Sequence, residues 1–104
     1  MDIKSLREQS DLSFDIATAK KNALERAESR QLIAYRDHLF RADTATINAV
    51  NVLKQQRDKF FMLDANDNPC EITDPQEFLN VLIQRNQETL NEYHKLYQQL
   101  KSKI

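Results

Sequence analysis

Along residues 14–30 the apolar positions Phe14, Ile16, Ala17, Ala19, Ala23, Leu24 and Ala27 recur at helical spacing among charged residues. Alanine has the highest intrinsic helix propensity, so period and composition agree on a first helix there. The pattern then changes. Leu32-Ile33-Ala34-Tyr35 and His38-Leu39-Phe40-Arg41 are short β-prone runs on either side of Arg36-Asp37. Aspartate tolerates the left-handed backbone that a two-residue hairpin loop requires, so a small hairpin is expected. The alternative is that the first helix continues through Tyr35, because residues 31–35 contain no helix breaker.

Asp43 is placed to accept amide hydrogens at the start of a second helix, in which Ile47, Val50 and Leu53 recur at helical spacing up to about Lys59. Phe60-Phe61-Met62-Leu63 and Cys70-Glu71-Ile72-Thr73 then bracket Asp64-Ala65-Asn66-Asp67-Asn68-Pro69, which is dense in turn formers and predicts a second hairpin. Asp74-Pro75-Gln76-Glu77 combines a capping acid, proline at the first helical position and glutamate three residues after the cap. A third helix starts there. Leu79, Leu82, Ile83, Leu90, Tyr93, Leu96, Tyr97, Leu100 and Ile104 extend it as an apolar stripe toward the end of the chain.

These elements define a helix-dominated α+β fold in the order α-β-β-α-β-β-α, with two small hairpins and a long C-terminal helix. Residues 1–13, polar with scattered Ile3, Leu6 and Leu12, read as an N-terminal arm or short helix ahead of a single domain over residues 14–104. At 104 residues the core is thin, since so short a chain buries only about 60 to 70% of the surface it exposes when unfolded.

The chain has no glycine. Phosphate-cradling loops, dinucleotide turns and nucleophile elbows all need glycine, because it alone adopts their backbone angles while letting a ligand approach closely. Those motifs are excluded. Fifteen Lys and Arg against sixteen Asp and Glu leave a net charge of −1, so no long-range field favours nucleic acid or an anionic membrane. The longest uninterrupted apolar run is Phe60-Phe61-Met62-Leu63, far short of a membrane span, and the opening residues hold no apolar stretch of signal-peptide length. Cys70, the only cysteine, forms no internal disulfide, and a reducing cytoplasmic setting is expected.

Candidate sites are few. Asp64, Asn66 and Asn68 match the first, third and fifth ligand positions of a calcium loop, but the sixth position, normally glycine, is Pro69, and the twelfth, normally a bidentate glutamate, is Pro75. A turn built on Asn and Asp geometry is the simpler reading. Cys70 with His38 or His94 would need a base beside the thiol to make a nucleophile, and Glu71 nearby would raise the thiol pKa; a packed small residue is expected instead. No close-spaced His or Cys pair suggests a metal site. Glu88 and Glu92 stand one helical turn apart on a polar face, as solvated charges do, and Lys20, Lys21, Arg26 and Arg30 are interleaved with Glu25 and Glu28. We expect no catalytic residue, no cofactor and no metal.

The stripe on the third helix carries the functional weight. A helix of about 30 residues is about 45 Å long, more than the diameter of a compact domain of this size. Its distal residues Leu90, Tyr93, Leu96, Tyr97, Leu100 and Ile104 therefore either project to meet another chain or pack wholly on the first helix. Tyrosine suits an interface because it joins an apolar ring to a polar tip.

Tyr35-Arg36-Asp37-His38-Leu39-Phe40, followed by Ala42-Asp43 and then Ile47 in a helix, resembles a phage domain of unknown function found at the C-termini of tail-fibre and tail-fibre-assembly proteins. Residues from about Phe14 to Ile104 can be laid along that family's order of elements. Asp37 stands where the family usually has Gly, and Phe60 or Phe61 where a Trp is common. The resemblance implies a non-enzymatic structural or assembly role, in the host cytoplasm or on the virion, through contact with a protein partner or a second copy. It implies no site residues. The rival reading from another class is a small regulatory or inhibitory protein, encoded by a phage, that binds a host protein.

Overall fold

The computed structural model describes the backbone of residues 3–102 and the side chains of residues 14–102. Seven elements follow in the order α1 (Ile3–Ser29), β1 (Leu32–Tyr35), β2 (His38–Arg41), α2 (Thr44–Gln56), β3 (Phe60–Leu63), β4 (Pro69–Ile72) and α3 (Pro75–Lys101). This is the expected α-β-β-α-β-β-α arrangement. Residues 3–13 continue α1, which stops at Ser29, so the first helix does not run through Tyr35. The Ser29 hydroxyl donates to the Arg26 carbonyl at 2.7 Å, sharing that acceptor with the Arg30 amide at 3.3 Å, so the last turn is closed from both sides.

β1 and β2 pair antiparallel from Leu32 opposite Arg41 to Tyr35 opposite His38. Arg36 and Asp37 link them with φ of 50° and 64°, both left-handed. Two such residues in succession make the mirror-image turn whose twist matches that of the flanking strands. The second hairpin pairs Phe60 with Ile72 through Leu63 with Pro69. Its second strand starts one residue earlier than its sequence suggests: Pro69, which has no N–H to give a ladder, is tolerated at the first position of a strand. α2 ends at Gln56, three residues short of Lys59, where Arg57 takes an extended backbone with φ of −141°.

Both helix starts form as the sequence predicts. The Asp43 carboxylate accepts from the Thr46 amide at 2.9 Å and the Asp74 carboxylate from the Glu77 amide at 3.2 Å, each filling an orphan donor of the first turn. Pro75 occupies the first turn of α3, and Glu77 places negative charge at the positive end of the helix dipole.

The core lies where the inner faces of both hairpins meet α2 and the first half of α3. Ile33 and Phe40 from the first hairpin, Phe60, Cys70 and Ile72 from the second, Val50 from α2 and Phe78, Leu79 and Leu82 from α3 form one buried cluster. The Phe78 ring sits 4.9 Å from Phe40, edge to face, and 4.7 Å from Tyr35, tilted at 52°. Each two-stranded sheet is marginal alone, so the helices supply the cover that makes it stable.

The molecule measures 66 by 22 by 21 Å. A helix of 27 residues is about 40 Å long, so α1 and α3 overlap along only part of their lengths. They run antiparallel. Arg30 pairs with Glu92 at 2.9 Å, whereas Lys20, earlier in α1, lies over the ring of Tyr97, later in α3, at 5.2 Å. Ala23 and Ala27 are buried on the α1 side of this contact, with Ile16 and Ala19 half-buried in line with them. Their spacing of three and four residues puts small side chains on one face, which lets the two backbones come close. The result is a head, built from the hairpins, α2 and the start of α3, with a two-helix stalk leading away from it.

Candidate interaction surface

On α3 the buried residues Pro75, Phe78, Leu79, Leu82, Asn86 and Thr89 trace one face through the head. Half-buried Tyr93, Tyr97 and Leu100 continue that face along the stalk, so α1 partly covers all three. Tyr93 and Tyr97 stack loosely at 6.3 Å. Leu90 and Leu96 stand about 60° to either side of the covered line at 3.6 residues per turn. They are 42% and 40% exposed. Ile104 lies outside the described residues. The other five residues that the sequence assigns to an interaction therefore divide into a face turned to α1 and two flanks turned to solvent. Ile83, part of the same stripe in the sequence, is exposed on the flank that carries Leu90.

Two buried polar residues mark the passage from head to stalk. The Asn86 side-chain amide donates to the Ala42 carbonyl at 2.9 Å, tying α3 to the β2–α2 junction. The Thr89 hydroxyl donates to the Asn86 carbonyl at 2.9 Å, satisfying itself within its own helix. Neither residue figures in the apolar stripe of the sequence, although Asn86 falls four residues after Leu82 and seven before Tyr93. Heptad spacing was the available signal.

The loop tested for calcium is committed elsewhere. Asp64 Oδ1 accepts from the amides of Asn66 at 2.8 Å and Asn68 at 2.9 Å, while Oδ2 lies 2.7 Å from His38 Nδ1. The Ala65 amide also donates to the Leu39 carbonyl at 2.7 Å, so this corner joins the two hairpins. The Asn68 amide, and after it His38, hold the Asp64 carboxyl below its ordinary value of 3.8, against an opposing push from burial. Since the fold favours the ionised form, this stabilisation is complete above the ordinary carboxylate range and is lost as pH falls through the lowered value. Urea midpoints of the native chain should fall on acidification below about pH 4. Asp64→Asn, which turns an amide donor toward His38 and cannot ionise, should be less stable at neutral pH and show a shallower acid fall. Equal acid limbs for both chains would show that Asp64 contributes nothing to acid sensitivity.

The remaining candidates are dispersed. Cys70 is buried, and its thiol lies 3.8 Å from the neighbouring Glu71 carbonyl, to which it donates. Burial pushes its thiol pKa up, with Arg36 opposing and Asp64 reinforcing. The upward push thus comes from the core and Asp64, where the sequence pointed to Glu71. His38 is engaged with Asp64, and His94 is exposed on α3. Glu92 pairs with Arg30, while Glu88 accepts from Gln84 at 3.2 Å and lies 3.6 Å from Arg85. Among the described residues no group of three or more His, Cys, Asp or Glu is placed to hold a metal ion, and no helix is long and apolar enough to cross a membrane.

By its architecture the chain is an α+β module with a hairpin-and-helix head and a two-helix stalk. Compared with protein-family models, curated proteins and solved structures, it matches none of them.

Proposed function

We propose that this chain is a non-enzymatic assembly module, of the phage tail-fibre accessory kind, that acts by protein–protein contact through α3. One observation carries the reading: the distal half of α3 leaves the head covered along one face only, with Leu90 and Leu96 open on its flanks. Exposed leucines on both sides of an extended two-helix rod suit a partner helix laid alongside it. The phage assignment draws on the resemblance around residues 35–43 and on the α-β-β-α-β-β-α order of elements, which the resemblance leads one to expect. Host cytoplasm or virion is the setting that goes with it.

Site-specific photo-crosslinking tests the contact without knowledge of the partner. With a photoreactive residue in place of Leu96, irradiation of cells producing the full chain should give a discrete protein adduct. The same residue in place of Gln55, exposed on α2, should give none. Leu96→Asp, on a solvent-facing flank, should abolish adducts from a second photoreactive residue placed at Leu90, with circular dichroism unchanged. Absence of any adduct from both leucine positions overturns the reading.

A further inference from the structure

Past the covered part of the stalk, α1 runs on alone. Lys20 lies over Tyr97, so in this antiparallel pair Ile16 is level with Lys101, the last residue of α3. Ile16 is half-buried, whereas Phe14 and Asp15 before it are exposed. The helical backbone of residues 3–15 therefore extends past the end of α3 by about 20 Å, which accounts for much of the excess of the 66 Å molecule over either helix. A helical segment without a packed face is marginal in water, and Ser5, Ser10, Asp11 and Ser13 are weak helix formers. Packing against another helix supplies the stabilisation that this tip does not draw from its own chain.

We infer that the tip docks antiparallel against the same tip of a second copy, in a two-fold dimer joined end to end. Charge selects the partner and its orientation. Residues 2–7 hold Asp2, Lys4 and Arg7, a net +1, and residues 8–15 hold Glu8, Asp11 and Asp15, a net −3. Across a two-fold axis at the middle of the tip, near Gln9, each basic half meets the acidic half of the other copy, and the match forms twice. Parallel tips would set the two acidic halves together. Both partners are convex rods, so they touch along the whole tip, as the members of a coiled coil do. The sequence gives the tip only Ile3, Leu6 and Leu12 as apolar residues ahead of Phe14, and the shared strip is short, so the dimer belongs among weak, transient contacts. Leu90 and Leu96 lie beyond the reach of the partner's tip. This contact thus goes beyond the one proposed for α3 and leaves that surface open.

Light scattering coupled to size exclusion, over a concentration series of the full chain, measures the association, and small-angle X-ray scattering measures the length of the particle. At high concentration the native chain should reach twice the monomer mass, with a longest dimension of roughly 110 Å, two lengths of 66 Å less the shared tip. Lys4→Glu with Arg7→Glu should weaken the dimer by about tenfold or more, since both halves of the tip are then acidic. Asp11→Lys with Asp15→Lys makes both halves basic, and an equal mixture of the two double variants should associate more tightly than either alone. Gln9→Pro interrupts the tip helix and should abolish the dimer, while circular dichroism keeps the signal of the remaining elements. A native chain that stays monomeric at millimolar concentration overturns the inference. So does a dimer whose length remains near that of the monomer, or one indifferent to Gln9→Pro and to the charge reversals, which places self-association on another face. Adducts from Leu96 to a different protein should be the same in native and Gln9→Pro chains, so the α3 reading stands or falls separately.

Discussion

Truncating Phe78 to alanine should cost about 3–5 kcal/mol of unfolding free energy, the largest loss we expect from any single apolar truncation here. Its ring is fully buried and touches both aromatic residues of the first hairpin, Tyr35 and Phe40. Removal takes away the transfer free energy of the ring, leaves a cavity the rigid helix cannot close, and breaks two aromatic contacts worth about 0.5–1.5 kcal/mol each beyond their area. Small domains hold only about 5–15 kcal/mol in total, so the variant should sit near the edge of folding. Phe61→Ala is the control. That ring is 67% exposed on the outer face of β3, and its loss should lie within about 0.5 kcal/mol of zero. Urea denaturation of both variants measures the difference, and similar costs would mean that the core has been misplaced.

The contrast between Phe78 and Phe61 also shows what sequence can and cannot give. Both helix starts at Asp43 and Asp74, the left-handed turn at Arg36-Asp37 and the polar second loop were legible, because each is decided by backbone chemistry within a few residues. Strand alternation guarantees that Phe60 and Phe61 face opposite ways, but which one faces inward depends on where α2 and α3 lie. Phe78 was passed over in favour of Leu79 for a related reason. Adjacent positions on a helix are both apolar, and only the neighbours decide that both are buried.

The candidate interaction surface was half legible. Spacing located the stripe on α3, and its distal part does emerge from the head as the length of the helix implies. What spacing could not supply was the alanine face of α1 as its cover, which turns Tyr93, Tyr97 and Leu100 inward and leaves Leu90 and Leu96 outside. Contacts between residues far apart in sequence were equally hidden. His38 and Asp64 are 26 positions apart, and Asn86 lies 44 from the carbonyl it bonds. Local propensity carries no information about such pairs.

Asn86 gives the second large effect, and its sign with pH is what makes it diagnostic. Asn86→Asp preserves shape but replaces the amide that donates to Ala42 with an acceptor, setting two oxygens against each other in a buried place. Near neutral pH the new carboxylate is a desolvated, unpaired charge, and the loss should be on the order of 3 kcal/mol. Burial and the facing carbonyl both disfavour ionisation, so the aspartate in the folded chain should have a pKa above that of the unfolded chain. The variant therefore binds a proton on folding, and its deficit should shrink as pH falls through that raised value, where the protonated acid can donate to the carbonyl again. Asp64 is common to both chains and its contribution is lost only below about pH 4, so it leaves the difference between them untouched in this window. Urea midpoints measured between pH 4 and 8 should thus converge for the two chains on acidification. If the gap stays constant, residue 86 is reached by solvent, and the joint between the head and the stalk is not held by the bond to Ala42.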